Sequence, residues 1–137
     1  MNTYTVKTDA LTATDYQGLR NTTGWHPITD SGVEKALARD LFSVCVYCDG
    51  KTVGMGRIIG DGAIYFYIQD VIVHPEHKGQ GVGTLIMDAV EKFLSDAVTE
   101  YAFIGLMAAQ DVAEFYNRFG YRKRPDHGPG MYKVITR

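Results

Sequence analysis

The order of strand-like and helical segments predicts an α/β protein whose central mixed β-sheet is flanked by helices. Three observations support this fold class. Strand-like runs in the first half are joined by tight turn signals, strands and helices alternate in the second half, and a glycine-rich loop joins a strand to a helix. Hairpins followed by helix-separated strands give a sheet with antiparallel and parallel parts that helices must cover. The 137 residues, 45% of them hydrophobic, are predicted to form a single domain, residues 1–137.

The first third of the chain is predicted to contain a short strand and two helices. The strand runs over residues 4–7, the first helix over 14–21 and the second over 31–41. Ser31 is the expected N-cap of the second helix because Glu34 follows it at the capping-box spacing.

Two hairpin turns are predicted in the middle of the chain. The Asp-Gly pairs at 49–50 and 61–62 are typical of tight turns, so strands are expected at 42–48, 52–59 and 63–73. Further along, a helix is expected from Val82, a strand over 101–107 and a helix over 111–119 that ends at Gly120. Late strands are predicted at 121–124 and 131–135.

The glycine-rich loop is the most informative motif. Gly79, Gly81 and Gly83 follow the strand that ends at Val73 and open the helix from Val82. Glycines let the backbone approach a ligand closely, and the unpaired N–H groups and dipole of a helix N-terminus favour an anion. The loop therefore predicts a phosphate or pyrophosphate site. Neither the Walker pattern nor the dinucleotide pattern Gly-x-Gly-x-x-Gly fits its spacing.

Two motifs resemble the GNAT superfamily of acyl-CoA-dependent N-acyltransferases. Residues 73–83 read V-x-P-x-x-K-G-x-G-V-G, which resembles the superfamily's motif A, with Lys78 where Arg or Gln is usual. Residues 113–121 read A-E-F-Y-N-R-F-G-Y and resemble the signature Ala-x-x-Phe-Tyr-x-x-x-Gly-Phe, with Tyr121 in place of Phe. The resemblance implies the GNAT fold over nearly the whole chain and acetyl transfer from acetyl-CoA to an amine.

The resemblance also implies where acetyl-CoA binds. The edge of the strand at Val71, Ile72 and Val73 would pair with the amides of pantetheine, as a peptide adds to a sheet. A backbone N–H there would stabilise the oxyanion of the tetrahedral intermediate. The residues implied for the pyrophosphate are Lys78, Gly79, Gln80, Gly81, Val82, Gly83 and Thr84, and Asn117 is implied for the pantetheine end. The amine would attack the thioester directly in a ternary complex, with neither a metal nor a covalent enzyme intermediate.

Tyr116 is the candidate general acid. The matching tyrosine of the superfamily lies beside the CoA sulfur and protonates the leaving thiolate. On a helix, Phe115 and Phe119 share a face and Tyr116 is turned about 100° away, so its hydroxyl can point to a cleft. The alternative is a ring that packs in the core.

Asp70 is the candidate general base, because an ammonium must lose a proton before it attacks. Strict alternation places Tyr65, Tyr67 and Gln69 on one face of the strand and Asp70 on the apolar face. A β-bulge, frequent near this point in the superfamily, would rotate Asp70 outward. Some relatives use a Glu at the position of Gln69, which Gln cannot replace. The alternatives are that Asp70 is a structural carboxylate, that Tyr67 or a water chain removes the proton, or that the substrate arrives neutral.

The acceptor is predicted to be the primary amine of a small molecule. The regions that contact acceptors in the superfamily offer aromatic and moderately polar residues, and no acidic run is present to hold a basic peptide. These residues are Arg20, Trp25, His26, Tyr65, Tyr67, His127, Met131 and Tyr132. The alternatives are an acetyltransferase acting on a protein amine and a catalytically inactive CoA-binding sensor or interaction module.

Composition argues against other classes. A formal net charge of −2 gives no electrostatic case for nucleic acid or an anionic membrane. The polar start resembles no signal peptide and no apolar run is long enough to span a membrane, so a cytoplasmic location is expected. Cys45 and Cys48 are expected to be buried or half-buried free thiols rather than a metal or redox pair. A homodimer is possible, since exposed strand edges favour pairing.

Overall fold

The protein is described by a computed structural model that covers all residues, Met1–Arg137. Its centre is a five-stranded sheet in the order β1-β2-β3-β4-β5. The first four strands are antiparallel and β5 runs parallel to β4. The strands are β1 Thr5–Thr8, β2 Phe42–Cys48, β3 Lys51–Gly60, β4 Tyr65–Val73 and β5 Phe103–Leu106. The predicted α/β class with a mixed sheet is confirmed.

Four α-helices and one short 3₁₀ turn accompany the sheet. They are α1 Ala13–Arg20, α2 Asp30–Leu37, the 3₁₀ turn Pro75–His77, α3 Val82–Ala97 and α4 Ala113–Asn117. The predicted start of α3 at Val82 is confirmed. None of the helices combines the length and the apolar character that crossing a membrane requires.

The predicted cap of α2 is wrong. Thr29, in an extended conformation, is the N-cap, and its hydroxyl accepts a 3.1 Å hydrogen bond from the N–H of Gly32. Ser31 lies inside the first turn, and the helix ends at Leu37 rather than at 41. Threonine at the N-cap does what was expected of the serine: its hydroxyl satisfies an otherwise unpaired N–H of the first turn, in a helix that starts earlier than predicted.

Both predicted turns exist. Asp49 and Gly50 have φ of 52° and 75°, and two successive residues with positive φ are the requirement of a type I′ hairpin turn. At the second turn, one carboxylate oxygen of Asp61 accepts hydrogen bonds from the N–H groups of Ala63, Ile64 and Tyr65. These backbone hydrogen bonds lower the pKa of Asp61. The strand after this turn begins at Tyr65, two residues later than expected.

Apolar side chains cover both faces of the sheet. On one face, α1 and α2 contribute Tyr16, Leu19 and Val33 to a buried cluster with Met55 and Ile72.

On the other face lies α3, whose buried residues are Val82, Ile86, Met87, Val90 and Leu94. A Cβ at Gly54 would lie 2.6 Å from Val82 Cγ1, so glycine is what lets α3 approach β3 this closely. Cys45 and Cys48 are buried free thiols, as predicted.

The residues group into two compact units, Met1–Met107 and Ala108–Arg137. The first unit contains the sheet and α1–α3, and the second contains α4.

The late strands predicted at 121–124 and 131–135 are wrong, because no strand forms after β5. The apolar residues Met131, Tyr132, Val134 and Ile135 are 64–85% exposed, so this segment has neither a buried face nor a strand partner to stabilise it as a strand. The single-domain organisation stays a prediction.

Candidate active site

A β-bulge in β4 sets the geometry of the site. Arg57 pairs with Gln69 and Met55 pairs with Ile72, so Gly56 alone stands opposite two residues of β4. Asp70 lies at this point with φ of 55°, in the left-handed region that few residues other than glycine adopt. The extra residue turns the Asp70 side chain to the face that carries α1. The bulge expected from the resemblance is therefore present.

Three side chains donate hydrogen bonds to the carboxylate of Asp70, whose side chain is only 1% exposed. The hydroxyl of Tyr16 donates at 2.7 Å and Nη1 of Arg57 at 2.8 Å, both to Oδ2. Nε2 of Gln69 donates to Oδ1 at 3.0 Å. Nη1 of Arg20 lies 3.9 Å from the same Oδ1. The candidate base is thus embedded in a buried polar network.

Arg57 joins Asp70 to a second carboxylate. Its Nε and Nη2 donate to Asp40, with a shortest distance of 2.8 Å from Nη2 to Oδ1. Burial by itself would lower the pKa of Arg57, but the hydrogen bonds and charges of the two carboxylates raise it above its ordinary value. A permanently charged guanidinium between two buried carboxylates compensates charges that could not otherwise be buried.

The network extends to the segment between α1 and α2. Arg20 donates to the Tyr16 hydroxyl at 3.1 Å and, through Nη2, to the carbonyl oxygen of His26 at 3.0 Å. Its guanidinium also lies over the Trp25 ring, with 5.4 Å between the guanidinium carbon and the centre of the ring. Two of the residues predicted near the acceptor, Trp25 and His26, are therefore held by a third, Arg20.

The edge of β4 beyond the bulge has no strand partner on its β5 side. The pairing of β4 with β5 covers Tyr65–Ile68 and Phe103–Leu106 and then stops. Ile72 and Val73 pair with β3 on the other side, opposite Met55 and Gly54. The backbone of residues 69–73 on the β5 side is thus available to an extended ligand, as β-strand addition requires.

The glycine-rich loop follows this free edge after the 3₁₀ turn Pro75–His77. Gly79 and Gly81 have φ of 76° and 86°, conformations that glycine adopts at little cost. Gly81 is the N-cap of α3, with no side-chain hydrogen bond to the first turn. The first helical hydrogen bond runs from the N–H of Leu85 to the carbonyl of Gly81. Lys78, Gly79, Gln80 and Gly81 are exposed, so a helix N-terminus and a lysine face solvent together.

Residues near the start of the chain hold one side of this loop. The amide oxygen of Gln80 accepts hydrogen bonds from the Tyr4 hydroxyl at 2.8 Å and from Asn2 Nδ2 at 2.9 Å. The Tyr4 hydroxyl also lies 2.9 Å from Nδ1 of His77. Sequence reasoning missed these contacts, because more than 70 residues separate the partners and no motif connects them.

Aromatic rings line a shallow apolar pocket on the same face as Asp70. Tyr65, Tyr67 and Phe103 contribute side chains, and Gly60 and Gly105 leave space between them. Burial, and then the charge of Asp70, raise the pKa of Tyr67, so its hydroxyl stays protonated at neutral pH. This pocket contains two of the residues predicted near the acceptor.

In the second unit, Tyr116 is 9% exposed. Its ring contacts those of Phe115 and Tyr121, with centroids 5.1 and 6.5 Å away. Burial raises its pKa, so the hydroxyl carries its proton at neutral pH as an acid catalyst must. Phe115 and Phe119 lie together, 5.4 Å between centroids, as their spacing predicted. Asn117 is exposed.

Tyr16, Asp40 and Arg57 were not predicted from the sequence as residues of the site. One signal was available for Arg57, since a lone charge inside an apolar strand run is expected to be buried with a partner. Nothing in the sequence indicated which carboxylates pair with it.

No three His, Cys, Asp or Glu side chains cluster so that they could hold a metal ion.

Comparison with known proteins identifies the family. The profile of the "Acetyltransferase (GNAT) domain" matches residues 40–123, more than half of the chain. The crystal structure of SA2161 from meticillin-resistant Staphylococcus aureus, described as a protein of unknown function and probable acetyltransferase, superposes with a TM-score of 0.90. It is 34% identical, over 97% of this chain and 100% of that one.

Two curated relatives agree. The uncharacterized N-acetyltransferase ycf52 of Porphyra purpurea is 29% identical over 94% of this chain and 75% of its own length. The chloroplastic GCN5-related N-acetyltransferase 2 of Arabidopsis thaliana is 33% identical over 60% of this chain and 31% of its own length.

Fold and comparisons together define an acyltransferase. The chain belongs to the GNAT acetyltransferase family, which confirms the resemblance of its two motifs.

Proposed function

We propose that the protein transfers the acetyl group of acetyl-CoA to the primary amine of a small molecule. The observation that carries this proposal is the continuity of the free edge of β4 with the glycine-rich loop. The edge at Val71–Val73 offers backbone hydrogen bonds, and the loop that follows it offers a helix N-terminus. An extended chain joined to a pyrophosphate has the shape and charge to use both, and the pantetheine arm of CoA is joined to its pyrophosphate in this way.

The residues present fit this donor. The positive φ of Gly79 and Gly81 lets the loop turn without side chains between its amides and a phosphate. Lys78 adds a positive charge on the exposed side of the same loop. Residues 78–84 would hold the pyrophosphate, Val71–Val73 would hold pantetheine, and Asn117 would contact the pantetheine end.

The proposed reaction is a direct attack. The amine nitrogen forms a bond to the thioester carbon, and a backbone N–H of Val71–Val73 stabilises the oxyanion. The carbon–sulfur bond then breaks, and the Tyr116 hydroxyl gives its proton to the thiolate. The proton that the amine loses balances the one that Tyr116 supplies.

Removal of the amine proton is the step for which the sequence analysis named Asp70. A carboxylate has about four acceptor sites, and three of those of Asp70 already receive hydrogen bonds, from Tyr16, Arg57 and Gln69. Its side chain is also nearly inaccessible. These contacts favour the alternatives of a water chain or an amine that arrives neutral, and the base role of Asp70 stays a prediction.

The pocket between β4 and β5 supports a small acceptor. Its lining of Tyr65, Tyr67 and Phe103 suits the apolar part of an amine rather than a charged peptide. Trp25, held by Arg20, lies on the segment between α1 and α2, which belongs to the regions predicted to contact the acceptor. An acceptor with an aromatic or aliphatic body is the one that this lining recognises best.

The first test is thermal unfolding of the protein with acetyl-CoA, CoA, ATP or NAD at equal concentrations. A ligand at 100 times its dissociation constant stabilises by about 2.7 kcal/mol, which shifts the midpoint by several degrees. Stabilisation by acetyl-CoA and CoA alone supports the proposal. Stabilisation by ATP or NAD instead, or by none of the four, would contradict it.

Thiol release over a panel of amines and lysine peptides then identifies the acceptor. Turnover with small amines is expected. Turnover with peptides alone would assign a protein amine, and CoA binding without turnover would assign a sensor. The expected cytoplasmic location and homodimer stay proposals, to be tested by imaging of the tagged protein and by light scattering.

A further inference from the structure

Asp70 combines two features that rarely occur together. Its backbone has φ of 55°, and its carboxylate is buried within hydrogen-bond reach of three donors. Non-glycine residues in the left-handed region persist only where their surroundings hold them. The surroundings here are Arg57, anchored by Asp40, and Tyr16 of α1.

The position of residue 70 in β4 gives this arrangement a consequence for the site. Residues 65–68 before it pair with β5, whereas Ile72 and Val73 after it pair only with β3. The bulge therefore lies at the point where β4 leaves β5. The direction in which Val71–Val73 presents its N–H and C=O groups depends on the backbone of residue 70.

The same carboxylate connects two regions of the site. Tyr16 receives a hydrogen bond from Arg20, and Arg20 holds the carbonyl of His26 and the ring of Trp25. One contact path thus runs from the donor edge of β4 to the segment between α1 and α2. The carboxylates of Asp40 and Asp70 face the guanidinium groups of Arg57 and Arg20, so the charges within the network balance.

We propose that Asp70 is a positioning residue of the transfer reaction. Through Tyr16 and Arg57 its carboxylate holds residue 70 in the left-handed conformation, and this fixes the direction of Val71–Val73 toward the donor. The inference rests on the proposed function, because it assigns acetyl-CoA to that edge. The positioning role differs from that of a general base in what it requires of residue 70. It requires the left-handed backbone conformation and two hydrogen bonds to the side chain, but not a basic oxygen.

Three substitutions at one position separate the two roles. Asp70→Asn keeps an acceptor oxygen and tolerates the left-handed region, Asp70→Gly keeps only the backbone freedom, and Asp70→Ala keeps neither. The acetyl-CoA dissociation constant is measured by calorimetry, and kcat and its pH profile by thiol release. Asp88→Ala, at an exposed position of α3, is the matched control.

Positioning predicts a graded loss of acetyl-CoA affinity. Asn is expected to bind within about threefold of the wild type, Gly more weakly, and Ala most weakly, by about tenfold or more. The pH profile of the Asn variant keeps both limbs of the wild-type profile. If the Ala variant does not fold, the affinity of the Gly variant and the pH profile of the Asn variant decide.

A different pattern would overturn the proposal. Were Asp70 the base, all three variants would bind acetyl-CoA like the wild type, while kcat fell by about the same 10²–10⁴-fold and the acidic limb vanished. Failure of the wild type to bind acetyl-CoA would overturn the proposed function instead. In that case, hydrogen exchange of the backbone amides of Val71–Val73 tests the positioning role without a ligand. Faster exchange in the Ala variant than in the Gly variant supports control of this segment by the backbone of residue 70, and equal exchange contradicts it.

Discussion

The hydroxyl of Tyr16 in α1 donates a 2.7 Å hydrogen bond to the carboxylate of Asp70 in β4, across 54 residues of sequence. Both residues are buried, with 3% and 4% of their surface exposed. Burial, and then the negative charge of Asp70, raise the pKa of Tyr16, so its hydroxyl remains a donor at neutral pH. The first helix is thereby joined to the strand that is proposed to bind the donor.

Replacement of Arg57 by Met should destabilise the protein strongly. The guanidinium compensates Asp40 and Asp70, and its loss leaves Asp40 without its ion pair and Asp70 with only the longer 3.9 Å contact to Arg20. The expected loss is about 3–5 kcal/mol in the free energy of unfolding, measured in urea. Arg39→Met, at an exposed position, is the control and should change it by less than about 0.5 kcal/mol. Equal effects of the two variants would contradict a structural role for the ion pairs.

Tyr116→Phe should lower kcat with little change in the affinity for acetyl-CoA. The leaving thiol is a weak acid with a pKa near 8.5, so the help it receives from an acid is modest and a loss of about 10²-fold or less is expected. Steady-state thiol release gives kcat, and calorimetry gives the affinity. Tyr121→Phe, a neighbouring ring, is the matched control. Full turnover by Tyr116→Phe would remove Tyr116 from the reaction.

Gly54→Ala should destabilise the contact between β3 and α3. The new Cβ would lie 2.6 Å from Val82 Cγ1 and 3.1 Å from Ile86 Cδ1, so α3 must shift. Overpacking of this kind costs about 1–3 kcal/mol. Gly18→Ala in α1 meets no atom within 4 Å and should instead stabilise by about 0.5–1 kcal/mol. Thermal unfolding of both variants checks the opposite signs, and a neutral Gly54→Ala would show that the helix relaxes freely.

Alkaline pH should destabilise the fold partly through Tyr47. Burial, followed by the hydrogen bond with Cys45, raises the pKa of Tyr47 to about 12 from an ordinary value near 10. A raised folded-state pKa contributes stability that is complete below pH 10 and is lost as the pH rises toward 12. Between pH 8 and pH 11, the urea concentration at the midpoint of unfolding should fall less for Tyr47→Phe than for the wild type. An identical fall in both proteins would exclude Tyr47 as a source.

Local patterns in the sequence predicted much of the fold. The Asp-Gly turns, the apolar periodicity of α3 and the loop at Gly79–Gly83 depend on neighbouring residues, so they can be recognised without tertiary information. The bulge was expected only through the resemblance.

Features that depend on distant partners could not be predicted in this way. The pairing of Arg57 with Asp40 and Asp70, and of Tyr4 with Gln80, needs the fold to bring the partners together. The late segment 131–135 shows the converse error. Its apolar and β-branched residues are typical of strands, but such residues form a strand only where a neighbouring strand supplies the hydrogen bonds.

The contact of Asn2 and Tyr4 with Gln80 has a practical consequence for work on this protein. Residues fused ahead of Met1 continue from a segment that lies against the loop proposed to bind the pyrophosphate. An amino-terminal purification tag can therefore alter the measured affinity for CoA through the contacts that Asn2 and Tyr4 make with Gln80. Binding and kinetic measurements should be made with the tag at the carboxyl end or with the tag cleaved.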